Sequence, residues 1–176
     1  MGLLFSSFTV IPPTPENGSN NSPVISTERN IHPATATADL IYTASGLEQS
    51  GLSKEAFDCA MKGYTKLLEA NRLQKTTVLT IVDYSMPSTQ KRLYVLDMSD
   101  GKLLFHSLAA HGRNSGLLYA SNFSNQPSSL KTSLGFFITA GTYIGNNGYS
   151  LKLDGCEKGI NDKAMERAIV MHGADY

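Results

Sequence analysis

The residues with the clearest chemical potential are His172 and Gly173, near the end of the chain. The preceding Ala168–Met171 is a β-prone apolar run, so we predict a buried strand that ends at the imidazole. An imidazole changes charge near neutral pH, and a glycine after it lets a substrate or backbone approach closely. This pattern favours a general base held at a strand end. The alternative is a strand-end histidine that merely hydrogen-bonds to a carbonyl group.

A mainly β domain must position this histidine, because a period of two begins at Thr76. The predicted strands are Val78–Asp83, Arg92–Asp97, Lys102–Ala110, Phe136–Ala140, Thr142–Gly145, Tyr149–Leu153 and Ala168–His172. The turn signals Ser99–Gly101 and Gly145–Gly148 predict antiparallel hairpins. Asn161 and Asp162 are suited to start a short helix at Lys163. The pattern predicts an α+β fold, mainly β, with a sandwich-like core.

Two helices precede the strands. Ala38–Leu47 has one apolar face, and Ser53 can cap a second helix over Lys54–Ala70. The apolar stripe predicted for the second helix consists of Ala56, Cys59, Ala60, Gly63, Tyr64, Leu67 and Leu68. We therefore expect residues 38–71 to form a helical buttress against a β domain at residues 76–176.

The N-terminal region differs in composition from the rest. Residues 1–11 contain a ten-residue apolar run, which is too short to span a bilayer but fits the hydrophobic region of a secretory signal. No Lys or Arg precedes Arg29, so the run is either a clipped signal peptide or an apolar tail. Residues 12–37 are rich in Pro, Ser and Asn, which predicts a flexible linker.

Charge and cysteine content exclude some functions. Fifteen basic residues balance fifteen acidic ones, and no basic cluster occurs, so nucleic acid is not an expected partner. No stretch is long and apolar enough to predict a membrane span. No histidine or cysteine spacing is typical of a metal site, and no cofactor is expected. Two cysteines do not make a disulfide framework, and whether Cys59 and Cys156 pair is left open.

Ordered sequence blocks in the second half of the chain resemble a known family. The blocks are LAAHGRNSG (Leu108–Gly116), ASNFSNQPSSLKTSLGFF (Ala120–Phe137), YIGNNGYSLKLDG (Tyr143–Gly155) and GINDKAMERAIVMHGADY (Gly159–Tyr176). In this order they resemble the murein L,D-transpeptidase catalytic domain of the YkuD-like superfamily. The resemblance implies a YkuD-like β-sandwich whose partner is the peptidoglycan stem peptide, in the periplasm or another extracytoplasmic space.

The resemblance also implies a mechanism. In this family a histidine of an HG motif, here His172 with Gly173, is the base for a cysteine that lies downstream between serine and glycine residues. The sequence stops at Tyr176, before such a motif. We therefore expect either a truncated domain, inactive as it stands, or one that has lost catalysis and serves as a non-catalytic binding or structural module of the cell envelope. A missing C-terminal part would leave a strand edge exposed and favour self-association.

Neither cysteine of the chain is expected to replace that nucleophile. Cys156 lies beside Asp154 and Glu157, and carboxylates disfavour the reactive thiolate. Cys59 is assigned to helix packing. A serine-enzyme pattern, Ser128-x-x-Lys131, lacks the S-D-N and K-T-G partners that such enzymes need.

Four further residues are predicted to bind substrate: His111, Tyr119, Ser133 and Gly135. They lie in or beside Gly112–Ser133, a long polar segment without periodicity, which is typical of a functional loop. The alternative is a plain surface connection, in which His111 forms a turn and the aromatic residues Tyr119 and Phe123 anchor the loop to the core.

Overall fold

The computed structural model describes residues 4–8 and 33–174, with side chains from residue 38 onwards. Its elements, in chain order, are β1 (Leu4–Phe8), α1 (Pro33–Ala44), α2 (Lys54–Glu69), β2 (Val78–Asp83), β3 (Leu93–Asp97), β4 (Leu103–Ser107), β5 (Gly135–Gly145), β6 (Gly148–Gly155) and β7 (Val170–His172). The expected fold class, mainly β with N-terminal helices, is confirmed.

The strands form one sheet in the order β4-β3-β2-β1-β5-β6-β7. It consists of two antiparallel units, β2–β4 and β5–β7, joined by β1, which is parallel to β2 and antiparallel to β5. Strand β7 lies at one edge, so the predicted self-association through an exposed edge concerns this strand and stays a prediction.

Both predicted hairpins are present, joining β3 to β4 and β5 to β6. One strand assignment was wrong: the segments predicted as separate strands on either side of Gly141 form the single strand β5. A shift in pairing register between Thr139 and Thr142 lets the strand continue past this point. A β-bulge of this kind absorbs one extra residue without ending the strand.

The helices begin and pack differently from the prediction. Helix α1 begins at Pro33 rather than Ala38, because proline fits the first helical position well. Helix α2 is capped as expected, since the Ser53 side chain accepts a hydrogen bond from the Ala56 amide. Cys59 does not belong to its packed face and is exposed. The buried face is instead formed by Ala56, Phe57, Ala60, Gly63 and Leu67.

The sheet carries a hydrophobic core on each face. The helix-side core packs α1 and α2 against Leu79, Ile81, Tyr94 and Leu96 of the strands. The loop-side core packs Val82, Phe137 and Leu153 against residues of the connecting segments, including Ala120 and Ala164. Neighbouring residues of one strand point to opposite faces, which explains why Ile81 and Val82 belong to different cores.

The predicted late helix after Asn161 is absent, and residues 158–168 form consecutive turns. The Asn161 side chain is buried and does not cap a helix. Its Oδ1 accepts from the Glu157 amide at 2.8 Å, and its Nδ2 donates to the carbonyls of Leu134 and Phe136 at 3.0 and 2.9 Å. Such hydrogen bonds compete with helix formation. We call residues 157–169 the turn segment.

The N-terminal predictions fall largely beyond the described residues. Residues 1–3 and 9–32 lie outside them, which covers most of the signal-peptide and linker assignments. The signal peptide stays a prediction. No helix in the described part of the chain has the length and apolar character needed to cross a membrane.

Candidate active site

Strand β7 ends at His172, as the sequence predicts, but it is a half-buried edge strand that begins at Val170 rather than the buried strand predicted from Ala168. Ala168 has a positive φ of 53°, which is incompatible with a strand. Strand β7 pairs antiparallel with β6, with His172 opposite Ser150 and Val170 opposite Lys152. Met171, between them, packs against the loop-side core. Because successive side chains alternate, His172 and Val170 lie on the other face of the strand, where the imidazole is half-buried.

The His172 ring makes two contacts within the described residues. Its Nδ1 lies 2.8 Å from the Gly173 carbonyl oxygen, and its Nε2 lies 3.5 Å from Nδ2 of Asn147. A carbonyl oxygen can only accept, so Nδ1 carries the proton and Nε2 of the neutral ring keeps its lone pair. The Asn147 amide is at the outer limit of hydrogen-bond distance, so it donates only a weak hydrogen bond to that lone pair. This tautomer is the one that a general base requires.

Asn147 reaches the histidine from the tip of the β5–β6 hairpin. The tip is closed by the pairing of Gly145 with Gly148, and Gly148 has the positive φ of +79° that favours glycine. The predicted Gly145–Gly148 turn thus brings an amide to the Nε2 side of His172.

A small cleft of about 120 Å³ lies on the same part of the sheet. Its lining residues come from three adjacent strands and the turn segment: Tyr143, Lys152, Met165, Ala168, Ile169 and Val170. The Lys152 ammonium lies 5.5 Å from the centre of the Tyr143 ring, within the range of a cation–π contact. Sequence reasoning missed both residues, although each lies in one of the blocks that carry the resemblance.

His111 and Tyr119 are not among the residues that line this cleft. The His111 ring is hydrogen-bonded on both nitrogens, to Arg92 at 2.7 Å and to the Gly116 carbonyl at 3.1 Å. Tyr119 is half exposed, at 51%. Phe123 packs against the loop-side core, with its ring 6.2 Å from that of Tyr84, as the anchoring alternative expects.

Ser133 and Gly135 stand where the long polar segment enters β5. Ser133 is buried, and its hydroxyl donates to the Ser124 carbonyl and accepts from Arg167. Gly135 has a φ of +101°, and a side chain there would overlap the Glu157 carboxylate. These contacts join the polar segment to the turn segment. No hydrogen bond in the described part of the chain links His172 to His111, Tyr119 or Gly135, whose binding roles stay predictions.

No cluster of three or more His, Cys, Asp and Glu side chains suited to a metal ion occurs among the described residues. The family model described as the L,D-transpeptidase catalytic domain matches residues 48–176, most of the chain. The chain belongs to this family. Searches of curated proteins and of solved structures find no match. The match begins ahead of α2 and includes His172, and it supports an L,D-transpeptidase-like function on peptidoglycan.

The two cysteines of this L,D-transpeptidase domain are free thiols. Burial is the main factor that raises the pKa of Cys156, and the neighbouring Asp154 and Glu157 raise it further against the opposing effect of Arg72. Cys156 also follows Ser150, the residue opposite His172, by six positions. At roughly 3.3 Å per strand residue this separates the thiol from His172 by about 20 Å. Cys156 is therefore not an activated thiol and lies far from His172.

Cys59 is equally unsuited to the reaction. It lies on the exposed side of α2, the helix that packs against β1 and β2 rather than against β7. Neither of the two thiols within the 176 residues stands beside His172.

Proposed function

We propose that this domain acts on the stem peptides of peptidoglycan by cysteine acyl transfer, with His172 as the general base. One observation carries the proposal: the Gly173 carbonyl fixes the proton on Nδ1, so the Nε2 lone pair of a half-buried ring is available at a strand end. The family match supports the same chemistry. Because the substrate lies outside the cytoplasm, the protein would work there too.

The reaction proceeds in two stages. Nε2 of His172 takes the proton of a cysteine thiol, and the thiolate attacks the carbonyl carbon of the diamino-acid residue. The tetrahedral intermediate collapses to a thioester, and the imidazolium returns its proton to the departing amine of the terminal D-amino acid. An amine or water then attacks the thioester, His172 takes a proton from this second nucleophile, and the thiol leaves reprotonated.

Gly173 is the orienting group in this scheme. Its carbonyl oxygen accepts a hydrogen bond from the Nδ1–H group and so stabilises the imidazolium that forms in each stage, a role that a carboxylate fills in acid-containing triads. No atom of the described residues lies within 4 Å of a side chain built at Gly173, so on that side the glycine leaves room beside the ring.

We further propose that the 176-residue chain by itself binds stem peptide without turning it over. The missing component is the nucleophile, because Cys156 is remote and has a raised pKa and Cys59 is on the outer side of α2. A cysteine from outside these residues would have to supply it.

The test compares the 176-residue chain with the product of the gene read through the codons after Tyr176, each incubated with a purified stem tetrapeptide and an amine acceptor. We expect product only from a chain that supplies a further cysteine, and loss of that product on His172→Gln. His106→Gln is the matched control, since His106 stacks on Tyr94 in another part of the sheet.

Other results would change the assignment. Turnover by the 176-residue chain itself would overturn the inactive state proposed for it. Full activity of a His172→Gln variant would remove His172 as the base. Peptide binding without turnover by the gene product, in any length, would favour the non-catalytic envelope module.

A further inference from the structure

The cleft beside His172 has one charged wall and an otherwise largely apolar lining. Val170 and Lys152 are directly opposed on β7 and β6, and Tyr143 is opposed to Ser150 on β5 and β6. Directly opposed residues share a sheet face, and so do residues two positions apart on one strand. Ser150 lies opposite both Tyr143 and His172, and Lys152 is two residues from Ser150 on β6. Tyr143, Lys152, Val170 and His172 therefore lie on the same face. The turn segment adds Met165, Ala168 and Ile169.

Lys152 is the cation of this wall, and no carboxylate of residues 38–174 pairs with it. Among residues 38–174 the ion pairs within 4.0 Å involve Lys54 and Lys102, and no carboxylate oxygen lies that close to the Lys152 ammonium. This includes Asp154, two residues further along the same strand. The Tyr143 ring instead lies 5.5 Å from Nζ, and a cation–π contact leaves the N–H donors free for a ligand.

The spacing suits a substrate that also contacts His172. Lys152 is two residues from Ser150 along β6, and His172 is opposite Ser150 on the next strand. With roughly 3.3 Å per residue and 4.8 Å between strands, the two positions are about 8 Å apart. One peptide can therefore offer its reacting carbonyl to His172 and a carboxylate to Lys152.

We propose that the Tyr143–Lys152 cleft is a carboxylate subsite, in which Lys152 binds an anionic group of the stem peptide and the apolar walls contact the adjoining alkyl carbons. The inference rests on the proposed function and deepens it. It makes Lys152 a specificity-determining residue, because a peptide with an amide in place of that carboxylate would lose the charge contact. The carboxylate is either that of a side chain or that of the peptide terminus.

The experiment measures binding and needs no turnover. The 176-residue chain is titrated by calorimetry with a stem tetrapeptide and with derivatives in which one carboxylate at a time is converted to the neutral amide. We expect one derivative to bind roughly three- to tenfold more weakly, as for a single solvent-accessible charge pair. The derivative that weakens identifies which carboxylate occupies the cleft.

The variants decide whether Lys152 is responsible. Lys152→Met should bind the parent peptide and the critical amide equally, and Lys152→Arg should restore the difference. Lys158→Met is the matched control, since this exposed lysine lies outside the cleft. Thermal melts check that each variant is folded.

Two outcomes would overturn the subsite, and they separate it from the proposed function. If the peptide binds but Lys152→Met weakens parent and amides alike, or changes nothing, Lys152 does not bind a carboxylate and the proposed function stands. If no stem peptide binds the unaltered chain at all, the substrate assignment fails and the subsite fails with it.

Discussion

Arg92 and His111 are joined by a hydrogen bond of 2.7 Å between Nη2 and Nδ1. A guanidinium group can only donate, so Nδ1 of His111 is the acceptor and the proton of the neutral ring is on Nε2. That proton is directed to the Gly116 carbonyl at 3.1 Å. Both nitrogens of His111 are thus engaged within the fold, which favours the turn-forming interpretation of this histidine over a site-lining one.

Replacing Arg92 should be costly, because its side chain is fully buried. It donates to the Met86 carbonyl at 2.7 Å and to the Ala109 carbonyl at 3.0 and 2.8 Å. Arg92→Met leaves these acceptors without a donor, at roughly 1–3 kcal/mol each, so we expect a loss of about 3 kcal/mol or more in the free energy of unfolding. Urea denaturation measures it. Arg113→Met, at an exposed position, should stay within about 0.5 kcal/mol of the unaltered protein, and a similarly small effect at Arg92 would contradict the prediction.

Asn161 should be the second sensitive polar residue. Asn161→Ala removes an acceptor from the Glu157 amide and a donor from the Leu134 carbonyl, both in a buried setting. We expect the free energy of unfolding to fall by roughly 2–4 kcal/mol. The control is Asn122→Ala, since the exposed Asn122 side chain bonds to the neighbouring Ser121 hydroxyl. Equal stabilities of the two variants in urea would show that the Asn161 contacts contribute little.

The elements that the sequence predicts well are those with local signals. The run of β-prone residues Val78–Asp83 has the same bounds as β2, and the Ser53 cap and the Gly145–Gly148 turn are where their residue types indicate. Strand β7 ends at His172 as expected. Asn161 was predicted wrongly, because an Asn before helix-forming residues has the local pattern of a helix cap. Its hydrogen-bond partners are instead the carbonyls of Leu134 and Phe136, which are distant in sequence and which no local pattern indicates.

The cleft depends on a feature that no local pattern contains. The pairing between β5 and β6 shifts by one residue between Thr139 and Thr142. Without that shift Tyr143 would face Tyr149 instead of Ser150, and its ring would point to the other side of the sheet, away from Lys152. The sequence supplies both residues in one block, but their convergence follows from the register of the folded sheet.

Buried tyrosines should make the protein sensitive to alkali. Burial is the main factor that raises the pKa of Tyr42, Tyr84 and Tyr94 above the ordinary value of 10.0. In the unfolded chain these phenols ionise near pH 10, whereas in the native state they stay neutral to higher pH because their pKa values are raised. The stabilisation is therefore fully present below about pH 10 and is lost as the pH rises from there towards the native pKa values. Urea midpoints measured from pH 8 to 12 should fall steeply above pH 10.

A tyrosine variant tests the cause of that alkaline loss. Tyr94→Phe removes the hydrogen bond to the Ser50 carbonyl, at about 1 kcal/mol, but should make the stability curve above pH 10 shallower. Tyr119→Phe, at a half-exposed position, should leave the slope close to that of the unaltered protein. An unchanged slope in Tyr94→Phe would mean that other groups cause the alkaline unfolding.

Alanine substitutions at Gly135 and Gly148 can separate the cost of backbone strain from the cost of a side-chain clash. Both have positive φ, +101° and +79°, so alanine at either position costs roughly 1–2 kcal/mol. A side chain at Gly135 also overlaps the Glu157 carboxylate, whereas no atom in the described part of the chain lies within 4 Å of a side chain at Gly148. Since Glu157 accepts from the Phe136 amide at 2.8 Å, its displacement adds a further cost of roughly 1–3 kcal/mol to Gly135→Ala.

The additional cost at Gly135 should depend on Glu157. In a Glu157→Ala background, where the carboxylate is gone, the difference between Gly135→Ala and Gly148→Ala in urea should shrink. It should not vanish, because a side chain at Gly135 also comes within 2.7 Å of Nδ2 of Asn161. The opposite result would be an equal loss of stability in the two glycine variants with Glu157 present, together with weaker stem-peptide binding by Gly135→Ala. Gly135 would then be needed for substrate binding and not for the close approach of the turn segment to β5. Stability and binding measured on the same variants therefore separate the two roles of Gly135.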